Sequence, residues 1–238
     1  MRNRRYLSLL LLPLLAMAPW EAETAQPPED ASPSPPCVAL TFDDSPNGAL
    51  TERLLDGLKE RNAKATFFLI GEQIEGQEAL VQRMAAEGHQ LGNHTFTHCR
   101  LDTGGPEGER EVEKTDALLR QVAGERPYWI RPPWGFASSR TLERASVPLI
   151  YWSVDSEDWK SRDADAVARR ILSTVRSGDI VLMHDAYESS IDAALRVADT
   201  LSAEGYELVT VEELFARSGV VPQSGVFYAR PDELRETG

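Results

Sequence analysis

The chain has 238 residues, enough for one sizeable core and not comfortably enough for two domains. An apolar content of 42% and a charged content of 26% are those of a globular protein. The net charge of −13 and pI near 4.8 repel phosphate backbones and argue against nucleic acid as a partner, but say little about a neutral sugar polymer.

Arg2, Arg4 and Arg5 precede an uncharged, Leu-rich run from Tyr6 to Trp20. A membrane span needs about 20 apolar residues, so this shorter run reads as an export signal over residues 1–25, with an uncleaved N-terminal anchor as the alternative. The chain is therefore expected in the periplasm or outside the cell, released or tethered, and no other segment is apolar enough to span a membrane. Residues 26–36 hold five prolines among Glu, Asp and Ser and read as a linker. The folded domain is expected over 37–218, followed by a loosely attached tail, 219–238.

Within the domain, short apolar runs alternate with helical patterns. Strands are expected at 38–42, 65–70, 89–92, 128–131, 148–154, 179–183 and 207–211. Helices are expected at 50–61, 77–87, 107–122, 138–145, 164–176 (with Asp163 as N-cap), 191–203 and 212–217. About seven strand–helix units imply α/β architecture with a parallel sheet and outer helices. A distorted barrel and an open doubly wound sheet both fit. Cys37 opens the first strand and Cys99 adjoins His98, near the far end of that strand. At about 3.3 Å per residue the two cysteines lie roughly 20 Å apart, too far for a disulfide.

The chemically distinctive residues fall where strands end, which is the functional edge of either architecture. Asp43 and Asp44 follow the first strand, and His94 and His98 the third. Arg131 ends the fourth, Asp155 and Asp158 follow the fifth, and His184 and Asp185 the sixth. His94 and His98, four apart, would share one face if they lay on a helical turn. Two histidines, one carboxylate and an open position make a common catalytic zinc set. The adjacent carboxylates can divide labour, one binding metal and the other accepting a proton. Taken singly, each signal has a bland reading: surface histidines, or carboxylates in a turn.

In order, the motifs are Thr41-Phe-Asp-Asp-Ser45-Pro-Asn47, Lys64-Ala-Thr-Phe-Phe68, Asn93-His-Thr-Phe-Thr-His98, Arg131-Pro-Pro-Trp-Gly135, Asp155-Ser-Glu-Asp-Trp159 and Leu182-Met-His184. Over about residues 37–215 this resembles the polysaccharide deacetylases, carbohydrate esterase family 4, the NodB-homology domain. The resemblance implies a distorted (β/α) barrel and a divalent metal, usually Zn²⁺, held by Asp44, His94 and His98. It implies that Asp43 is the general base, that Arg131 holds Asp43, and that His184 protonates the departing amine under the control of Asp158. It places the backbone N–H near Trp134 at the oxyanion, and Trp159 and Leu182 around the acetyl methyl.

The implied reaction is hydrolysis of N-acetyl groups on an amino-sugar polymer or oligosaccharide. An O-acetyl xylan esterase, a small-amide hydrolase of the same fold and an inactive carbohydrate-binding protein are the alternatives. Ser45 stands where the family usually has Gly, which raises the expectation of a narrowed pocket or an altered turn. Trp129, Tyr151 and Trp152 read as core, His89 as structural, and Asp155 and Asp185 as loop supports.

Overall fold

In the computed structural model, residues 34–235 are described; the export-signal segment and most of the Pro-rich linker lie outside them. The organising element is β1 (Cys37–Ser45), a strand buried on both faces. Its even residues Val38, Leu40 and Phe42 pack outward into the larger core beneath the helices. Its odd residues Cys37 and Ala39 pack the other way, with Phe68, Trp129, Ile150, Ile180 and Tyr228. The period-two geometry of a strand therefore sends Thr41 and Asp43 to this inner face as well.

The remaining elements follow in strand–helix order. After β1 come α1 (Ala49–Glu60), β2 (Thr66–Leu69), α2 (Gly71–Ile74), α3 (Glu78–Ala86), β3 (Gln90–Asn93) and α4 (Pro106–Ala123). Then come α5 (Ser139–Arg144), β4 (Leu149–Ile150), β5 (Val154–Asp155), α6 (Asp158–Ser161) and α7 (Ala164–Leu172). Last are β6 (Ile180–His184), α8 (Glu188–Ala203), β7 (Glu207–Leu208), α9 (Val211–Ser218), β8 (Phe227–Arg230) and β9 (Glu233–Leu234). Asp163 caps α7 as expected, accepting from the backbone N–H groups of Asp165 and Ala166. Among the described residues, no helix is long and apolar enough to cross a membrane.

The main sheet is parallel in the order β3-β2-β1-β6-β5, and β7 pairs with the start of β1. Ile130 bridges Asn93 on one side and Leu149 on the other, linking β3 to β4. The Ser153 N–H donates to the Ile180 carbonyl (3.0 Å), returning the chain to β6. These links bend the sheet around its inner core into the expected distorted barrel. Outside it, α1 and α8 approach so closely that a Cβ on Gly57 would lie 2.5 Å from Leu195 Cδ2.

Three expectations are corrected. Residues 128–131 make only isolated bridges rather than a strand. The strand expected over 148–154 breaks into β4 and β5, because the buried Arg131 takes the carbonyl oxygens of Ile150 and Tyr151. The tail is not loose. β8 pairs parallel with β4 and antiparallel with β9, and Phe227, Tyr228 and Ala229 are buried. Arg230 anchors it through a 2.5 Å contact to the buried Asp179.

Candidate active site

Asp43 occupies the last inner-facing part of β1, in register with His184 at the end of β6. Arg131, fully buried, donates from Nη1 to Asp43 Oδ1 (2.7 Å) and to Thr41 Oγ1 (2.6 Å). Its Nε and Nη2 donate to the carbonyls of Ile150 and Tyr151, and its guanidinium lies 4.1 Å from the centre of the Phe68 ring. Burial pulls the Arg131 pKa down and the Asp43 charge opposes that shift. The other Asp43 oxygen, Oδ2, faces His94 Nε2 at 3.6 Å.

Asp44 leaves the strand with φ of 61°, which turns its carboxylate away from that of Asp43 and toward the histidines. Its Oδ1 lies 3.5 Å from His94 Nε2 and 3.4 Å from His98 Nε2. That oxygen is buried and has no hydrogen-bond partner. His94 Nδ1 donates to the Arg131 carbonyl at 2.7 Å, which fixes the tautomer and leaves the Nε2 lone pair aimed at Asp44. Burial and the neighbouring His94 ring hold the His98 pKa below its usual range, which favours the neutral ring that a metal ligand requires. Three donor atoms within 4.8 Å of one another, one an orphaned buried carboxylate oxygen, fit a divalent metal ion.

The histidine pair does not sit on a helical turn. Residues 94–98 form a loop in which Thr95 (φ 65°) and His98 (φ 58°) are left-handed. The loop is held by local bonds: Thr95 N–H to Asn93 Oδ1, Cys99 N–H to Thr95 Oγ1, and the first N–H groups of α2 to the Thr95 and Phe96 carbonyls. Six of the seven left-handed non-glycine residues described (Asp44, Thr95, His98, Trp134, Glu157 and Arg162) lie on loops that carry or adjoin site residues. Backbone strain of this kind concentrates at functional sites.

On the opposite side, His184 Nδ1 meets Asp158 Oδ1 at 2.8 Å, and the His184 N–H donates to Asp158 Oδ2 at 2.7 Å. Asp158 is fully buried at the start of α6. Burial alone would lower the His184 pKa. The hydrogen bond and charge of Asp158 outweigh it, with Asp43 and Asp44 adding, and the imidazole is raised to about 9. Asp158 is held below the usual carboxylate range, its burial outweighed by His184.

The Trp134 ring lies against His98, tilted by 58° with centroids 4.2 Å apart, and is 52% exposed; Trp159, next to Asp158, is equally exposed. Leu182 is buried two residues before His184, on the same inner face of β6. Gly135 (φ 71°) lets the Trp134 turn sit against Tyr151, whose ring a Cβ would meet at 2.2 Å. Trp129 is buried against Phe215, while Tyr151 and Trp152 stack on each other and stay half-buried. His89 is buried and accepts from the Ala65 N–H through Nδ1. Cys37 and Cys99 are both free thiols.

Ser45 does not narrow the cleft. It is fully buried and its φ is not left-handed, so Gly is not required there; the positive φ belongs to Asp44 before it. Its hydroxyl makes no hydrogen bond of normal geometry, but it lies close enough to the Asp185 carboxylate to oppose the rise that burial imposes on that group's pKa. Asp185, expected only to support a loop, is fully buried and binds both Asn47 and Thr51. Asn47 closes the first motif with no role read from it and Thr51 lies outside every motif, since an Asn in a turn and a Thr in a helix carry no chemical signal on their own.

The fold is thus a parallel α/β barrel with a carboxylate–histidine cluster at one end of its strands. Residues 30–147 match the polysaccharide deacetylase family. The chain is 38% identical over 189 residues to a peptidoglycan-N-acetylglucosamine deacetylase of Bacillus cereus, covering 76% of this chain and 69% of that one. It is also 38% identical over 179 residues to the peptidoglycan-N-acetylglucosamine deacetylase PgdA of Listeria monocytogenes, covering 75% of this chain. It spans only 38% of that relative's length. Among solved structures, the T48 deacetylase with substrate superposes with a TM-score of 0.77 at 42% identity, over 82% of this chain and 96% of that one. The chain belongs to the polysaccharide deacetylase family.

Proposed function

We propose that the protein is a metal-dependent hydrolase that removes N-acetyl groups from an amino-sugar polymer or oligosaccharide. The observation that carries this reading is the pairing of Asp43 and His184 on adjacent strands beside a cluster of three potential metal ligands. The peptidoglycan N-acetylglucosamine activity of its relatives supports the substrate class.

Asp44, His94 and His98 would hold the ion, with Zn²⁺ the best match to a two-histidine, one-carboxylate set. When bound, a divalent ion lowers the pKa of a coordinated water and polarises an acyl oxygen. Asp43 Oδ2 is the proton acceptor for the attacking water, and Arg131 keeps Oδ1 occupied so that Oδ2 faces the reaction. The Trp134 backbone N–H, presented by a left-handed turn, donates to the developing oxyanion. His184, with Nδ1 committed to Asp158, carries a proton on Nε2 for the departing amine. The exposed rings of Trp134 and Trp159 offer apolar faces to the sugar and its acetyl group, and Leu182 backs the methyl.

The basic and apolar segment from Arg2 to Trp20 supports placement outside the cytoplasm, where such polymers lie. The deciding assay is acetate release from chitooligosaccharides and peptidoglycan fragments, with added Zn²⁺ and with chelator. Release that is metal-dependent supports the proposal. No release from either substrate by metal-loaded protein would overturn it.

A further inference from the structure

Asp185 directly follows His184, yet its carboxylate turns away from the His184–Asp158 pair and into the loop that leaves β1. Its Oδ1 accepts from Asn47 Nδ2 at 2.7 Å, and its Oδ2 accepts from the Thr51 hydroxyl at 2.5 Å. Thr51 Oγ1 in turn accepts the Asn47 N–H at 2.7 Å, closing a ring of three residues. The second hydrogen of the Asn47 amide goes to the Asp44 carbonyl oxygen, also at 2.7 Å. Asn47 is therefore a two-pronged link. One prong grips a buried carboxylate on the β6 side, and the other grips the backbone of the residue whose own carboxylate meets His94 and His98.

Asp44 needs that grip because it holds φ of 61°, a conformation a non-glycine residue adopts only when its surroundings enforce it. The outer side of the loop has a separate hold, since Gln77 accepts the Gly48 N–H and reaches the Pro46 carbonyl. The Gln73 amide, oriented so that its nitrogen is paired, also donates to the Asp44 (3.0 Å) and Pro46 (3.1 Å) carbonyls, so losing the inner link would loosen Asp44 without releasing the whole loop.

We propose that Asp185 is a positioning residue for the metal site: through Asn47 it sets the Asp44 backbone, and so couples the end of β6 that bears His184 to the carboxylate ligand on β1. This inference rests on the reading of Asp44, His94 and His98 as metal ligands. An isosteric Asp185→Asn change keeps the volume but turns one oxygen into a donor: facing Asn47 it meets another donor, and facing Thr51 it forces the hydroxyl to turn from donating to accepting.

The test uses Co²⁺ as the probe, titrated into metal-free full-length protein and followed by its visible absorption. Circular dichroism and thermal unfolding of each metal-free variant report the fold. The parent is expected to bind Co²⁺. Asp185→Asn and Asn47→Ala are each expected to weaken binding about 10–100-fold, the usual effect of removing a partner that orients a ligand. Because both act through one link, the double variant is expected to lose little beyond the stronger single variant. If Asp185→Asn fails to fold, Asn47→Ala and Asn47→Ser carry the comparison, with Ser expected to fall between Ala and the parent.

Single variants that bind Co²⁺ as tightly as the parent would overturn the positioning role. So would losses that multiply in the double variant. A parent that binds no Co²⁺ would instead remove the metal-site reading itself, and this inference with it.

Discussion

Asp43 and His184 are register partners on adjacent parallel strands, so the proposed proton acceptor and proton donor share one rung of the barrel. Each is held from behind by a buried group of opposite charge: Asp43 by Arg131 and His184 by Asp158. The two pairs are alike in design and opposite in sign, and the metal-ligand cluster adjoins the Asp43 side. This arrangement leads to distinct expectations for each member.

Removing the charge of Asp43 while keeping its shape takes away the base and leaves the three ligand atoms in place. Asp43→Asn is expected to lower kcat about 10²–10⁴-fold, the usual contribution of a general base. Its metal affinity, measured by Co²⁺ titration, is expected to stay within several-fold of the parent. Full activity in this variant would show that another group takes the proton.

Arg131 is expected to matter for the fold as much as for the reaction. Replacing it by Met leaves the Asp43 carboxylate buried without its partner and orphans two backbone carbonyls. Breaking a buried pair in this way costs about 3–5 kcal/mol. Urea unfolding of Arg131→Met should show a lower midpoint, with activity reduced at denaturant concentrations where the parent is fully folded. An unchanged midpoint would mean that the site relaxes around the loss.

The His184–Asp158 pair carries a pH signature. The His184 pKa is raised to about 9 in the folded, metal-free chain against an ordinary value near 6.5. Its contribution to stability is therefore fully present below about pH 6.5 and is lost as pH rises through about 9. Asp158, shifted downward, contributes above its ordinary value and loses that contribution as pH falls through its depressed one. The pair thus stabilises most in the mildly acidic range. A shift of this size corresponds to roughly 3 kcal/mol at most. NMR titration of the metal-free protein should place the His184 midpoint near 9, and Asp158→Asn should drop it to the ordinary histidine value or lower. A midpoint unmoved by Asp158→Asn would assign the shift to Asp43 and Asp44 instead.

Ser45 is expected to be dispensable. Its buried hydroxyl makes no well-formed hydrogen bond and offers the Asp185 carboxylate only a weak contact, so Ser45→Ala should change stability by no more than about 1 kcal/mol. KM for a chitooligosaccharide should change by less than about twofold, because the side chain does not reach the cleft. A large rise in KM would return Ser45 to the list of specificity determinants.

Much of this site was legible before the fold was seen, because its chemistry is concentrated at strand ends. Asp43, Asp44, His94, His98, Arg131, Asp158 and His184 stand out as charged or imidazole side chains following apolar runs, and their ordered motifs identify the family. Other structural details were not legible, two of them at the site and at the tail. The His94–His98 spacing suggests a helical turn, but left-handed Thr95 and His98 make a loop that still brings the rings to 4.9 Å. The tail beyond 219 is polar enough to look loose, yet Phe227 and Tyr228 complete the barrel against β4.

What the sequence determined by itself is the alternation of strands and helices, the chemical types available and the strand ends that carry them. Those follow from local patterns of two or three and a half residues and need no knowledge of distant neighbours. Only the tertiary structure shows how the two adjacent carboxylates part. Asp43 and Asp44 are adjacent in the chain, and one positive φ sends one toward Arg131 and the other toward the histidines. It also decided that Asp185 reaches across to Asn47, a contact between residues 138 apart in sequence. Such pairings depend on register between strands, and register is set by packing of the whole barrel rather than by any segment alone.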